Sequence, residues 1–292
     1  MKGIVLAGGS GTRLFPLTYS ISKQILPVYD KPLIFYPISV LMLAGIRDIA
    51  IVSSPRDIKL FENLLGDGTN YGVDFTYLIQ EQPKGIADGI LVAKDFISDQ
   101  NCCLILGDNI FFGYQFTDML RDAKENLDGA TIFSTFVNNP SDFGVVELDK
   151  DGHIISIDEK PSNPRSNLAI TGLYFYNNSV VDIVESIKPS ARGELEITDV
   201  NKIYFEQNLL KVLQLGRGFA WLDAGTPDSL LEASIFVETV EKRQGYKIAC
   251  LEEISWRNGW INSRDLAALA SDMCNQGYAK YLTGLLAYEG QR

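Results

Sequence analysis

Apolar runs and amphipathic stretches alternate through the first half of the chain. Ile4–Ala7 is short and uniformly apolar, the pattern of a buried strand. Pro32–Gly45 reads as a helix, with Pro32 suited to its first turn. Asp48–Ser53 predicts a second strand, and Asp57–Leu65 a helix closed by Gly66. Phe75–Ile79 predicts a third strand, Ile86–Phe96 a helix, Cys102–Leu106 a fourth strand and Phe116–Leu127 a further helix. Strands apolar on both faces and separated by helices predict a mostly parallel sheet covered on both sides.

The second half is richer in strands. Thr131–Val137, Phe143–Leu148, Ile154–Asp158 and Ala169–Tyr176 carry β-favouring residues, with turn signals such as Asp149-Lys150-Asp151-Gly152 between them. Ser179–Ile187, Asp199–Gln207 and Ser229–Arg243 read as helices, with a short strand at Phe219–Leu222. Beyond Lys247, the apolar residues of Leu266–Met273 and Tyr278–Leu286 fall on one helical face. The pattern predicts an α/β domain over residues 1–243, with a small helical C-terminal appendage over 244–292 packed on the same domain.

Composition narrows the partners. The chain has 292 residues, 46% hydrophobic and 22% charged, enough for a core without disulfides. Lys and Arg number 26 against 37 Asp and Glu, for a formal charge of −11. That balance is a poor match to nucleic acid or an anionic membrane. An anionic small molecule would need positive charge gathered in one cleft. Cys102, Cys103, Cys250 and Cys274 form no CxxC pair, and the adjacent Cys102 and Cys103 read as buried thiols. The single His153, in a turn-like setting, sets aside Ser-His-Asp and multi-histidine metal chemistry. Leu33–Ile46 contains Pro37 and falls short of the ~20 residues of a membrane span. Met1–Ala7 is too short for a secretory signal, so a cytoplasmic protein is the expectation.

Five segments carry candidate chemistry. Gly8-Gly9-Ser10-Gly11-Thr12-Arg13 follows the first strand, where glycines let the backbone present N–H groups to phosphate oxygens. It is no Walker A loop, and the third glycine of a dinucleotide fingerprint would fall on Leu14. Arg13 adds a fork suited to phosphate and Lys23 a second cation; the plain alternative is a strand–loop connection with a solvated arginine. Asp108 and Asn109 follow the fourth strand, where ligands of open α/β sheets bind. Asp108 there suits Mg²⁺, or equally an Asp-Asn turn. Asp223 follows another short strand and could share a metal site or simply cap a helix. Glu159-Lys160 could hold a sugar phosphate or be a surface pair. Arg192–Asp199 reads most simply as a charged loop capping a helix.

Together these segments resemble the sugar-nucleotidyltransferases, most closely the branch that uses dTTP and glucose 1-phosphate. The matching stretches are 3–18, 22–46, 106–113, 142–149, 158–161, 171–177, 192–201, 216–234 and 240–260, in that order. The family usually carries Gln where this chain has Asp88, while Gln80 and Gly85 are retained. The resemblance implies a Rossmann-like mixed sheet and a magnesium-assisted transfer that yields dTDP-glucose and pyrophosphate. It implies nucleotide contacts at Gly8, Gly9, Gly11, Thr12, Arg13, Gln80, Gly85 and Asp108. For the sugar phosphate it implies Asn109, Gly144, Glu159, Lys160, Tyr174 and Arg192. Arg13, Lys23 and Lys160 would be catalytic cations, and Asp108 and Asp223 the Mg²⁺ ligands. Trp221 is expected as a wall of the site.

Some relatives of this length are homotetramers with feedback by a downstream dTDP-sugar. That implies a homo-oligomer and, at Gly113, Arg217, Glu253 and Arg257, a second site for dTDP-rhamnose. The alternatives are uridylyl transfer with UTP, a non-catalytic nucleotide-sugar binding protein, and a dinucleotide oxidoreductase disfavoured by Leu14.

Overall fold

The computed structural model describes residues 1–9, 11–274 and 276–289. The first half runs β1 (Lys2–Leu6), β2 (Pro27–Val28), β3 (Lys31–Pro32), α1 (Phe35–Leu43), β4 (Asp48–Ser53), α2 (Ile58–Leu65) and β5 (Asp74–Ile79). Then follow α3 (Asp88–Val92), α4 (Lys94–Ile97), β6 (Cys102–Leu106), β7 (Asn109–Phe112), α5 (Phe116–Glu125) and β8 (Ala130–Phe136). The second half contains β9 (Gly144–Leu148), β10 (Ile154–Glu159), β11 (Leu168–Tyr176), α6 (Val180–Ser186), α7 (Ile197–Glu206), β12 (Leu210–Gln214) and β13 (Ala220–Asp223). It closes with α8 (Pro227–Gln244), α9 (Leu251–Arg257), α10 (Ser263–Asp272) and α11 (Gln276–Glu289).

Nine strands form one sheet in the order β10-β9-β11-β6-β1-β4-β5, with β8 beside β11 and β12 beside β8. The β5, β4, β1 and β6 block is parallel, as is the β8–β12 pair. β11 pairs antiparallel with β6, β8 and β9, and β9 with β10. Successive side chains of a strand point to opposite faces. Val5, Ile51, Cys103 and Phe175 therefore pack with α1, α2 and α5, while Ile4, Val52, Cys102 and Tyr176 pack with α3, α4, α6 and α7. Burying each large apolar side chain contributes about 1.5–3 kcal/mol, so both faces hold the helices down. The adjacent cysteines are buried free thiols on opposite faces, as expected.

Three expectations need correction. Pro32 lies in the short strand β3 rather than in the first turn of α1. The helix expected over 86–96 is broken at Ala93 (φ −91°, ψ 8°), giving α3 and α4. β7 pairs antiparallel with β13 in a separate two-stranded ribbon that the apolar pattern did not announce.

The ribbon, β2 and α8 share a third core with Val28, Tyr36, Ile110 and Val237. Thr226 caps α8, accepting from the Ser229 N–H at 3.2 Å, and Pro227 opens its first turn. At the other end, Glu241 accepts from Lys31 and Lys247 at 3.0 Å each and from the Ile248 N–H at 2.9 Å. Asp30 pairs with both lysines, and Lys31 and Glu241 are buried. Beyond α8, α9 returns to the main body: Leu251 joins the α1 core and the Asn258 amide donates to the Met42 carbonyl at 3.2 Å. Leu266, Tyr278 and Leu282 of α10 and α11 gather around Cys250.

Candidate active site

The glycine loop leaves β1 at the carboxyl edge of the parallel strands. Gly9 and Gly11 have φ of 108° and 60°, conformations that a side chain resists. The Thr18 hydroxyl donates to the Gly11 carbonyl at 2.7 Å and fixes the loop ahead of Thr12 and Arg13. Ser10 lies outside the described residues. A cavity of about 220 Å³ opens here, lined by Gly8, Gly9, Lys23, Gln80, Gly85 and Asp108 among others. A Cβ on Gly8 would sit 3.1 Å from the Gln80 Oε1. Gly85 has φ 107°, and a Cβ there would fall 2.4 Å from the Leu195 carbonyl oxygen. The Leu195 N–H donates to the Lys84 carbonyl at 2.7 Å, and the Ala87 N–H to the Leu195 carbonyl at 3.3 Å. This wall of the cavity is thus tied to the segment that opens α7.

The β7–β13 ribbon joins the two aspartates. Asp223 stands opposite Asn109, and the Ala224 N–H donates to the Asp108 carbonyl at 3.0 Å. The Asp223 Oδ1 is buried with no hydrogen-bond partner among the described residues. Burial, and then the neighbouring Asp108 charge, push the Asp223 carboxyl up to about 6, against the pull of Lys23, Arg13 and Lys160. Asp108 is partly buried, which alone would raise its carboxyl, yet its ion pair with Lys23 and the Asn109 amide hold it below the ordinary value. A Cβ on Gly225 would lie 3.0 Å from Arg13 Nη2 and 3.1 Å from Asp223 Oδ1, so both side chains close over that glycine.

A second group forms on the β9–β10 side. Glu159 accepts from the Thr198 hydroxyl and, at 3.2 Å, from Arg192. Gly144 leaves room for that pairing: its Cβ would stand 3.1 Å from Thr198 Oγ1 and 3.4 Å from Glu159 Oε2. Arg192 also bonds Glu196 at 2.9 Å and approaches Glu194 at 3.9 Å, so three carboxylates surround it. The Tyr174 ring is buried against Tyr176; burial and the Glu159 charge raise its hydroxyl pKa. Lys160 is exposed at the end of β10 with φ 42°, a strained backbone for a lysine.

Asn109, expected at the sugar phosphate, is braced from two distant strands. It is buried; its Oδ1 accepts from the Gly172 N–H at 3.0 Å and from the Trp221 indole at 2.7 Å. Its Nδ2 donates to Asp108 at 3.0 Å, so it braces that carboxylate. Trp221, expected as a wall, is also the donor that anchors Asn109.

A protein-family model described as nucleotidyl transferase matches residues 2–240. The chain belongs to the nucleotidyl transferase family. A glucose-1-phosphate thymidylyltransferase of Neisseria meningitidis serogroup A is 54% identical over 286 residues, 98% of this chain and 99% of that one. A Bacillus anthracis chain assigned the same name, crystallised with a sucrose, is 38% identical with a TM-score of 0.75 and covers 81% of this chain and 94% of its own. A UDP-glucose pyrophosphorylase complexed with UDP-glucose is 27% identical with a TM-score of 0.72, covering 82% and 98%.

For a nucleotidyl transferase the donor set at Asp108 and Asp223 suits a hard divalent cation. Two adjacent carboxylates, one with a buried oxygen lacking any partner, offer the oxygen ligands such an ion prefers. Asp149, Asp151 and His153 also place ligand atoms within 4.8 Å of one another, but on an exposed turn where Asp149 already bonds the Asp151 and His153 N–H groups. Two contributors were not foreseen, and a third, Asp88, was noted only as a departure from the family pattern. Thr198 holds Glu159, Gln24 is buried beside Lys23, and Asp88 holds Gln80. Thr198 was read only as a helix cap, and nothing local distinguishes a buried Gln24 from a surface one.

Proposed function

We propose that the chain transfers a thymidylyl group from dTTP to glucose 1-phosphate, giving dTDP-glucose and pyrophosphate. The observation that carries this reading is 54% identity, across 98% of the chain, to a relative of that activity, combined with Asp108, Asp223, Lys23 and Arg13 gathered at one cleft. A phosphate monoester has its second pKa near ~6, so the attacking sugar phosphate is mostly dianionic at pH 7 and needs no general base. Bringing two unit anions to ~4 Å costs roughly 4 kcal/mol at an effective dielectric of 20. Catalysis is therefore positioning and charge neutralisation.

Backbone N–H groups of Gly8, Gly9, Gly11 and Thr12 receive the triphosphate, and Arg13 steadies the leaving pyrophosphate. Lys23 turns from Asp108 toward the α-phosphate. Gln80 and the Gly85 backbone read the base. Lys160 neutralises the sugar phosphate, while Glu159, braced by Thr198 and Arg192, accepts sugar hydroxyl bonds beside Gly144 and Tyr174. Mg²⁺, which Asp108 and Asp223 would hold, supplies further charge neutralisation on the phosphates when bound.

The UDP-glucose pyrophosphorylase likeness favours UTP as a second donor. Thymine and uracil differ by one methyl, worth only ~1–3 kcal/mol of discrimination. Pyrophosphate release measured over a grid of nucleotides and sugar phosphates, with and without Mg²⁺, tests the reading. Rapid turnover with dTTP and glucose 1-phosphate is expected, and its absence would reject the proposal.

The same reading makes the chain a cytoplasmic homotetramer, with residues 244–292 a helical extension of a domain spanning 1–243. No helix of the described residues is long and apolar enough to cross a membrane. Leu231 and Ile235, one turn apart on α8 and 61% and 53% exposed, support a subunit contact that light scattering would reveal. Feedback by dTDP-rhamnose near Gly113, Arg217, Glu253 and Arg257 would have to open the Arg257–Glu253 pair, which closes at 2.7 Å. An unchanged rate on adding that sugar nucleotide removes the feedback.

A further inference from the structure

We infer that Asp88 sets which nucleobases the cavity accepts, by fixing the orientation of the Gln80 amide. The inference rests on the thymidylyl-transfer reading above.

The Gln80 Nε2 donates to Asp88 Oδ2 at 2.7 Å. An ionised carboxylate can only accept hydrogen bonds. Of the two orientations of the amide, one presents Nε2 to Asp88 and the other sets Oε1 against it, with no proton between two acceptors. Asp88 therefore selects the first orientation on chemical grounds. Both ends of the contact are held. The Gln80 N–H donates to the Ser53 carbonyl at 2.8 Å as it leaves β5. Asp88 opens α3, and the next residue, Gly89, is packed so closely that a Cβ would fall 2.3 Å from Leu6 Cδ2. Among the described residues Asp88 has no ion-pair partner, and Gln80 is its only side-chain hydrogen-bond partner.

With Nε2 anchored, Oε1 lies on the Gly8 side, where the absent side chain leaves the wall open. The amide keeps one acceptor and one remaining N–H in a fixed order. An imide edge complements that order. N3–H of thymine or uracil donates to Oε1, and the adjoining carbonyl accepts from Nε2. Cytosine presents the reverse, an unprotonated N3 and an amino group, and would need the orientation that Asp88 opposes. Asp88 is thus a positioning residue that acts through Gln80.

The test compares kcat/KM for dTTP, UTP and dCTP in the wild type, Asp88→Asn and Asp88→Ala. The Asn side chain can donate as well as accept, and the Ala side chain anchors nothing. Each variant should lower the dTTP-to-dCTP ratio by about tenfold or more, as expected when an amide can turn to satisfy the wrong edge. The dTTP-to-UTP ratio should stay within about twofold, because both bases present the same edge. An unchanged dTTP-to-dCTP ratio, or an equal fall with all three nucleotides, overturns the inference. If the wild type shows no turnover with dTTP and glucose 1-phosphate, the reading of the reaction falls instead. Calorimetric Kd values for dTTP and dCTP without sugar phosphate then test the orientation by the same ratio and the same criteria.

Discussion

Lys23 Nζ rests directly on Asp108 Oδ2, so an internal cation occupies the carboxylate that a divalent ion would use. Lysine and metal therefore compete. Lys23→Met is expected to bind Mn²⁺ about tenfold more tightly than the wild type in the absence of nucleotide, since one neighbouring positive charge is gone. Turnover should fall about 100-fold with the loss of a cation at the reacting phosphate. Electron paramagnetic resonance of free Mn²⁺ measures the first effect. Equal or weaker binding would show that Asp108 is not shared.

Asp223 gives the metal-free protein a pH signature. Its folded carboxyl titrates near 6 against an ordinary value of 3.8, so between those values the folded state holds a proton that the unfolded state has released. The group adds nothing unfavourable below 3.8, and stability declines as pH rises through about 6. Asp108 shifts the other way, so its contribution is lost only in more acidic solution. Urea unfolding at a series of pH values should show the decline, and Asp223→Asn should flatten it. An identical pH slope in that variant would place the charge elsewhere.

Asn109→Ala separates positioning from ligand contact. The substitution strips the Gly172 N–H and the Trp221 indole N–H of their acceptor. Leaving buried donors unpaired costs about 1–3 kcal/mol each, so a loss of about 2–6 kcal/mol in unfolding free energy is expected. Turnover should fall with little change in KM for the sugar phosphate. A selective rise in that KM would return Asn109 to the sugar pocket.

Glu241 is a purely structural counterpart. Glu241→Ala leaves Lys31 and Lys247 sharing Asp30 alone, with Lys31 almost fully buried. Breaking a buried charge network from one side typically costs about 3–5 kcal/mol. Chemical denaturation measures this directly, and a loss near zero would mean the network is solvated.

What the sequence reveals divides by range. The β1 strand and its glycine loop are legible because the signal is local: a buried apolar run, then positions that need positive φ. Asp48–Ser53 and Cys102–Leu106 are likewise plain, since strands covered on both faces must be apolar throughout. β7 was missed. It begins one residue after Asp108, is short, and belongs to a ribbon whose partner lies more than a hundred positions away. Asp108 and Asp223 could each be suspected as ligands, but only that pairing brings them together. The bracing of Asn109 was not legible, because it depends on Trp221 and Gly172 arriving from distant strands. The break at Ala93 was invisible because no glycine or proline marks it.

The hydrogen bonds between Lys84, Ala87 and Leu195 tie the cavity wall at Gly85 to the segment on which Arg192 and Glu196 stand. Ordering one side stiffens the other, so whichever substrate arrives first has already spent part of the entropy that the second would otherwise surrender. Each should then help its companion by a single common factor, whichever order of addition is chosen.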